Sequence, residues 1–524
     1  VTQLDFLPAG GDALLVDTGS LDRALALLDR LQANPPAGLV ELVPAARTLL
    51  LRFDPFLTDP AALRAFVNGL DLSDSAARSG QEIEIPVHYD GEDLGELAEM
   101  LGLSIPALIA KHEAADFTVA FTGFAPGFAY LTCADKGLHV PRRKSPRVRI
   151  PAGSVALAGE FGGVYPSDSP GGWQILGRTP LPMWDLRRPR PALLAPGDRV
   201  RFRDIAKGAV VTVSLPEQAP PPMDGPITVI RTDRPALMQD LGRAGQAAQG
   251  VSRAGAMDRA AFVAVNRLLG NHRNAPALEL SFGGFALTAS QPLTLALTGA
   301  PCPITIRRAD GSKITMPHAT AVALDAGETL TLATPKSGIY SYLGLRGGFA
   351  AARVMGSASR DSLAKLGPAP VAAGDRLAIG SDVQAATTTL PAAARLPKAG
   401  ETVVLDVILG PRDDWCTATG LKTLMQQDWL VTPESSRTGK RLSGPIPLER
   451  HDQAELASEA TVAGSIQVPH SGQPVLFLAD HPLTGGYPVI AVIAPHHLDL
   501  AAQIPPGAKI RFRPISLSGP ECKG

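Results

Sequence analysis

The chain has 524 residues, of which 45% are hydrophobic and 19% charged, and its formal net charge is −1. That length corresponds to roughly three to four domains, and the near-neutral balance argues against a dedicated nucleic-acid or anionic-membrane surface. The longest apolar runs, such as 489–495, are far too short to span a bilayer, so no membrane partner is expected.

Strand-like runs at 13–16 and 49–53, with helical spacing at 21–32 and 61–70, predict a small α+β unit over residues 1–80. A second unit, 81–213, opens with a strand at 82–87, passes through helices near 93–100 and 105–114, and then turns strand-rich. The stretch 214–226, with Pro220-Pro221-Pro222, reads as an extended linker. Two β-rich units follow, 227–385 and 400–524, joined by a second linker, 386–399, rich in Thr, Ala and Pro. After the first linker one helix is strongly signalled. Asp258 caps it, Phe262, Val265, Leu268 and Leu269 form its apolar stripe, and Gly270-Asn271 stops it. The four cysteines, Cys133, Cys302, Cys416 and Cys522, are scattered with no Cys-x-x-Cys pair, which suits a reducing cytoplasm. No basic-then-apolar leader opens the chain, and its start at Val1 points to trimming.

The chain repeats itself. Pro196-Gly197-Asp198-Arg199-Val200-Arg201-Phe202 recurs as Pro506-Gly507-Ala508-Lys509-Ile510-Arg511-Phe512, and more loosely at Ala373-Gly374-Asp375 and Ala326-Gly327-Glu328. Each is a glycine turn feeding a strand with period-2 alternation. Upstream, Gly153-Ser154-Val155 and Gly171-Gly172-Trp173 are matched by Gly464-Ser465-Ile466 and Gly485-Gly486-Tyr487, in the same order. Two units of one β-rich fold explain this economically. The whole reads as a β-dominated α+β protein with barrel-like, internally repeated units.

Glycine and proline alternate with large rings in Phe124-Ala125-Pro126-Gly127-Phe128-Ala129-Tyr130, and again in Ser169-Pro170-Gly171-Gly172-Trp173-Gln174. Gly127 and Gly172 remove a Cβ beside aromatic bodies, so a ligand or another backbone can approach there. A rigid aromatic turn without a ligand is the competing reading.

Standard catalytic motifs are absent. There is no phosphate-binding P-loop, no His-Glu-x-x-His and no Gly-x-Ser-x-Gly elbow. The histidines lack metal-ligand spacing, and the adjacent His496 and His497 are expected to point apart, so no metal site is expected. What remains is a set of polar residues in glycine-rich settings. Arg142, Arg143, Lys144, Arg147 and Arg149 place five cations between prolines, suited to a carboxylate or phosphate or to a charged edge strand. Arg178 follows the glycine-aromatic turn. Gln239-Asp240-Leu241-Gly242-Arg243 offers either a site or an Asx-turn with Arg243 paired to Asp240. Arg437 and Arg441 flank a cationic turn, open to an anion or to solvent. Asn266 and Glu279 read as structural anchors, and His112 sits where a helix dipole alone would favour it.

With these residues the chain resembles the family of the B component of 5-oxoprolinase, also labelled allophanate hydrolase subunit 1 or Kip inhibitor. The resemblance rests on His88-Tyr89-Asp90-Gly91, the Gly123–Leu131 run, Pro141-Arg142, Pro146-Arg147 and Pro170-Gly171-Gly172-Trp173-Gln174. After the linker, Gln239-Asp240-Leu241-Gly242-Arg243, Gly255-Ala256-Met257-Asp258, Ala277-Leu278-Glu279 and Arg441-Leu442-Ser443-Gly444-Pro445 resemble the C component of 5-oxoprolinase, or allophanate hydrolase subunit 2. The chain looks like a B–C fusion. Two departures lie in expected site loops: Glu160-Phe161-Gly162-Gly163-Val164-Tyr165, and Leu483 before Thr484-Gly485-Gly486-Tyr487.

The resemblance implies cyclophilin-like barrels, ATP with Mg²⁺, a separate A component, a cytoplasmic location, and the opening of 5-oxoproline to glutamate; it leaves self-association open. Related paired domains imply an alternative, carboxyltransfer to urea or another small amide. No Ala-Met-Lys-Met segment is present, so biotin would then ride on another chain. A second alternative is a binding module that inhibits a histidine kinase. The expected site lies where the two halves meet. Arg178, His112, Arg243 and Asp240 are its expected catalytic groups. Gly127, Phe128, Tyr130, Arg142, Arg147, Gly172, Trp173, Gln174, Gln239, Arg437 and Arg441 are its expected binding residues.

Overall fold

In the computed structural model the described residues are 4–72, 80–143, 145–207, 224–390, 395–452, 454 and 456–516. The expected first linker therefore lies mostly outside the described residues, as do part of the second, Lys144 and Cys522.

The chain begins with a four-stranded antiparallel sheet, in the order Asp5–Pro8, Ala13–Asp17, Thr48–Phe53, Leu39–Pro44. Helices Leu21–Ala33 and Pro60–Asn68 accompany it. Ser20 caps the first by accepting the Arg23 amide, and Asp59 caps the second, with Pro60 preset for its first turn. Leu27, Leu28 and Leu31 recur at helical spacing and pack on Val16, Leu49 and Leu51 of the sheet.

Next comes a curved seven-stranded sheet. Its order is Gln174–Arg178, Ser154–Ala158, Phe161–Val164, Ala129–Cys133, Phe117–Thr122, Arg199–Asp204, Glu82–Val87. Mutual hydrogen bonds between His88 and Arg178, 2.8 and 2.9 Å, join its two edges. Residues 402–514 form a closed barrel whose order is Val489–Ile493, Ser465–Gln467, Val475–Phe477, Gly439–Ser443, Trp429–Val431, Lys509–Pro514, Thr402–Leu409. Strand for strand the two orders are the same. In each, the glycine-turn strand runs parallel to the strand that opens the unit. A two-stranded side ribbon accompanies both, Arg147–Ile150 with Ser169–Gly171 and Glu459–Ala460 with Thr484–Gly485. The matching glycines share one conformation: Gly153 and Gly464 have φ 81° and 92°, Gly197 and Gly507 have φ 93° and 84°. These are left-handed values that only glycine adopts cheaply.

Between the barrels, residues 227–377 fold as two facing sheets, one of six strands and one of five, around Leu278, Leu287, Leu295, Leu330 and Leu343. Of the two β-rich units expected after the first linker, only the second is therefore a closed barrel, although barrel-like units were expected throughout. The looser glycine-turn copies at Gly327 and Gly374 feed strands of an open sheet, the latter only Arg376–Leu377, so they share turn chemistry and not a barrel. The predicted helix is Arg259–Leu268, capped by Asp258 through the Ala261 amide. Two further helices, Ala418–Gln426 and Leu498–Gln503, carried too short a pattern to be read, the first also holding Gly420.

The parts are tied by polar groups that burial makes obligatory. Arg412 of the second barrel is 7% exposed, and it grips Asp17 of the first sheet at 2.7 Å together with Glu459 of its own barrel at 3.0 Å. Among the described residues no helix is long and apolar enough to cross a membrane.

Candidate active site

The glycine-aromatic loop of the first half docks on the second. The Phe124 amide donates to Thr484 Oγ1 (3.0 Å), the Gly127 amide to the Gln249 carbonyl (3.0 Å), and the Thr122 hydroxyl to the Ala248 carbonyl (2.9 Å). Gly127 holds φ 76°, and a Cβ there would meet the Met183 carbonyl at 3.0 Å, so the turn tolerates only glycine without strain. Phe128, Tyr130 and Trp173 are 1, 6 and 6% exposed and meet edge-to-face with Tyr165 as a buried cluster beneath the loop. They support a wall; they do not present ring faces to a ligand. Tyr130 faces Ser458 and Thr484 across the junction, with burial raising its phenol.

Above this cluster opens a cleft of about 510 Å³ built by both halves. Phe124, Pro126, Ser167–Pro170 and Trp184 form one wall; Gly250, Ser252, the segment 361–366 and 481–483 form the other. Two titratable groups in it are shifted in opposite directions. Asp361 is 1% exposed; its Oδ1 accepts the Leu363 and Ala364 amides (3.0 and 2.8 Å) and its Oδ2 the Ser252 hydroxyl (3.3 Å). Burial and the neighbouring Asp480 charge push it up to about 6. His481 is buried, with Nδ1 2.8 Å from the Pro482 carbonyl. That contact requires the proton on Nδ1 and leaves Nε2 as an acceptor. Burial lowers its pKa to about 4, so the ring is neutral at pH 7. The cleft thus carries a carboxyl poised near neutrality and a neutral imidazole, two groups of the kind that move protons. Lys365 and Asp168 add a cation and an anion at the rim, Asp168 being held low by the Ala152 amide and Arg149.

Behind Asp361 lies a buried ionic network. Arg437 (6% exposed) binds Asp480 through Nε and Nη2 (2.9 and 2.8 Å), Glu279 through Nη1, and the Gly255 carbonyl. Arg243 is 2% exposed and donates to the Ser359 carbonyl; among the described residues its Nη1 has no acceptor. Asp240 is fully buried and accepts from the Gly242 and Ala358 amides and the Ser357 and Ser359 hydroxyls.

Several sequence expectations are thereby corrected. Asp240, with its oxygens fully engaged, organises a loop and has no access to a substrate; its Asx-turn to Gly242 is the reading that holds, while Arg243 turns to Ser359. Gln239 is also fully buried, donating to the Arg360 carbonyl. His112 lies in the core of the first barrel, packed at a tilt against Phe117 and Phe202 with Nδ1 2.8 Å from the Tyr89 hydroxyl; burial lowers it to about 3, so it stays neutral. Arg178 is 69% exposed and paired with Asp90 at 2.5 Å, outside the cleft. Arg147 is drawn to Asp93 (2.7 Å), a buried carboxylate that also takes Arg143 and the Ile175 amide. Gln174 donates to the Pro141 carbonyl inside its barrel, and Gly172 accepts the Arg143 amide; neither lines the cleft. Arg441 is exposed on its strand. Arg142 reaches the junction, lying against Gly486, and Arg149 pairs with Asp168 of the cleft wall. His496 and His497 do not point apart: a 3₁₀ turn brings both to Asp406, whose oxygens already take His496 (2.9 Å) and Arg513 (2.6 Å), while His497 Nδ1 accepts the Asp406 amide.

Asp361, Ser252 and His481 went unread because each sits in a loop with no periodic pattern. The one available signal was His481-Pro482 just ahead of the repeated Thr484-Gly485-Gly486-Tyr487.

Residues 4–194 match the family model described as carboxyltransferase domain, subdomain C and D, and residues 249–514 that of subdomain A and B. The chain is 34% identical to the C component of 5-oxoprolinase from Escherichia coli K12 over 294 residues, 56% of this chain and 92% of that protein. It is 39% identical to the B component of 5-oxoprolinase from Escherichia coli O157:H7 over 192 residues, 36% of this chain and 87% of that protein. The crystal structure of TTHA0988 in space group P212121 covers 96% of this chain and 99% of its own, with TM-score 0.82 and 34% identity.

Proposed function

Because the chain belongs to the carboxyltransferase-domain family and joins counterparts of the B and C components of 5-oxoprolinase in one polypeptide, we propose that it is the substrate-holding component of an ATP-dependent 5-oxoprolinase, opening the lactam to glutamate with a separate A component. One observation carries this reading: the cleft near Asp361 and His481 is made by loops of both halves. Polypeptides that always act together have reason to be fused when their site is composite.

A lactam carbonyl is resonance-stabilised and a poor electrophile, so ring opening needs activation and well-placed proton transfers. In this reading Lys365 holds the substrate carboxylate, His481 Nε2 accepts a hydrogen bond from the lactam N–H, and Asp361 takes a proton from the attacking water and returns it to the ring nitrogen as the C–N bond breaks. The side walls Phe124, Pro126 and Trp184 exclude water around the ring. The residues here do not fit a magnesium nucleotide. The cleft's carboxylates are taken, Asp168 by Arg149 and the Ala152 amide and Asp361 by two amides and Ser252, and among the described lining residues Lys365 is the one lysine or arginine for the phosphates. ATP and Mg²⁺ are accordingly assigned to the complex with the A component, and no step of this chain runs through them.

The test mixes the chain with an A-type partner, ATP, Mg²⁺ and 5-oxoproline, and measures glutamate. Release of glutamate that requires all components supports the reading. A second reading, carboxyltransfer to urea or a small amide, is favoured by the description of both matching family models. Turnover only with a biotinylated carrier and bicarbonate would select it.

A further inference from the structure

The second half holds another cavity, of about 460 Å³, between the two-sheet unit and the closing barrel. The segment from Arg360 to Lys365 separates it from the cleft, and Lys365 lines both. Five cations reach its wall, Arg234, Arg360, Lys365, Arg437 and Lys440, against one carboxylate, Glu279. Glu279 is already engaged by Arg437, the Tyr342 hydroxyl (2.8 Å) and the Met257 amide (2.9 Å). The other four cations make no ion pair among the described residues. Arg234 lies over the Phe282 ring at 5.0 Å. Arg360 is steadied by Nη1, which donates to the Lys365 and Gly367 carbonyls, both at 3.1 Å. Lys440 is 1% exposed, and among the described residues its ammonium has a single partner, the Ile504 carbonyl at 2.8 Å.

Clustered cations repel one another, and a buried amine with one hydrogen bond is costly to keep. Burial pushes Lys440 down to about 7. A fold that needed only packing would hold methionine or leucine there. The arrangement makes sense when an anion completes it.

We propose that this cavity is a second small-ligand site, taking an anionic group, a carboxylate or a phosphate, on Arg234, Arg360 and Lys365 with the Lys440 amine at its floor. The geometry supplies what such recognition needs: guanidinium donors, of which Arg360 is steadied by two carbonyls, the Ser281 hydroxyl in the wall, and an apolar side at Phe282 and Ile339 for the ligand body.

The test is calorimetric titration of the full chain, without A component or nucleotide, using inorganic phosphate and, separately, L-glutamate as a carboxylate probe. One anion is expected to bind with one-to-one stoichiometry, and which one it is assigns the group. Arg234→Ala and Arg360→Gln should each weaken that binding about tenfold. Lys440→Met should weaken it likewise while leaving Tm unchanged or raised. An anion held in the cleft instead would be insensitive to Arg234 and Lys440. No binding of either anion at about 10 mM, or binding that all three substitutions leave within twofold, overturns the proposal. Because no turnover is measured, its failure is separate from failure of the 5-oxoprolinase reading.

Discussion

Replacing Arg437 with methionine should destabilise the protein by about 3–5 kcal/mol near pH 8. The size follows from what the side chain leaves behind. Its guanidinium contacts Glu279 and Asp480, which are 1% and 0% exposed, and no other cation is bonded to either carboxylate among the described residues. Two carboxylates would then stand buried and uncompensated beside Asp361, also buried. The penalty should depend on pH. In the wild type, burial works to raise Asp480, and the Arg437 charge overrides it and holds the carboxyl below its usual range, so this contribution is present above the unfolded pKa and fades as pH falls. In the variant burial acts alone and raises the pKa, so stability is lost as pH rises through the carboxylate range. The gap between the two proteins should therefore be widest at pH 8 and shrink by about half or more at pH 4, since each pKa unit is worth about 1.4 kcal/mol. Urea unfolding followed by tryptophan fluorescence, with Trp429 fully buried in the second barrel, reads the difference. A gap below about 1 kcal/mol at pH 8, or one that ignores pH, refutes the view that this network is held by its cation.

Asp361→Asn should lower kcat for 5-oxoproline by about a hundredfold or more, and the wild-type rate should rise with pH through about 6 as the carboxyl ionises; a flat profile from pH 5 to 7 would remove Asp361 from the proton path. Tyr130→Phe and Thr484→Val, combined in a double-mutant cycle, should show a coupling of at least about 0.5 kcal/mol in unfolding; additive effects would mean that the two groups do not interact across the junction. Arg178→Ala, at a residue the sequence placed among the expected catalytic groups, should leave kcat within about twofold, because an exposed ion pair outside the cleft contributes little; a tenfold loss would restore Arg178 to the site.

The barrels were legible because their signals are local and obligatory. Gly153, Gly197, Gly464 and Gly507 stand where the backbone turns left-handed, and the strands they feed alternate in burial, as in Arg199–Asp204 and Lys509–Pro514. Gly127 was readable as a turn that excludes a side chain, but its loop's partners across the junction, the Gln249 carbonyl and Thr484 Oγ1, were not. The charged groups were not. Arg437 finds Glu279 across 158 residues, and Arg412 finds Asp17 across 395, distances over which no spacing rule operates. The same limit misled the reading of Asp240 and His112: polarity suggested chemistry, while their full burial and their hydrogen bonds to Ser359 and Tyr89, invisible in sequence, make them parts of the frame. Asp361 and His481 both belong to the second half, in loops of its two different units, and their placement on one cleft follows from how those units pack, which no spacing rule encodes.

Joint holding of one small lactam by both halves is tested most directly by a crystal structure of the chain with 5-oxoproline bound. The ligand is expected in the cleft, its ring against Phe124 and Pro126 and its polar atoms toward Asp361, Lys365 and His481. A ligand enclosed by one half alone, touching no residue of the other, would contradict the shared site.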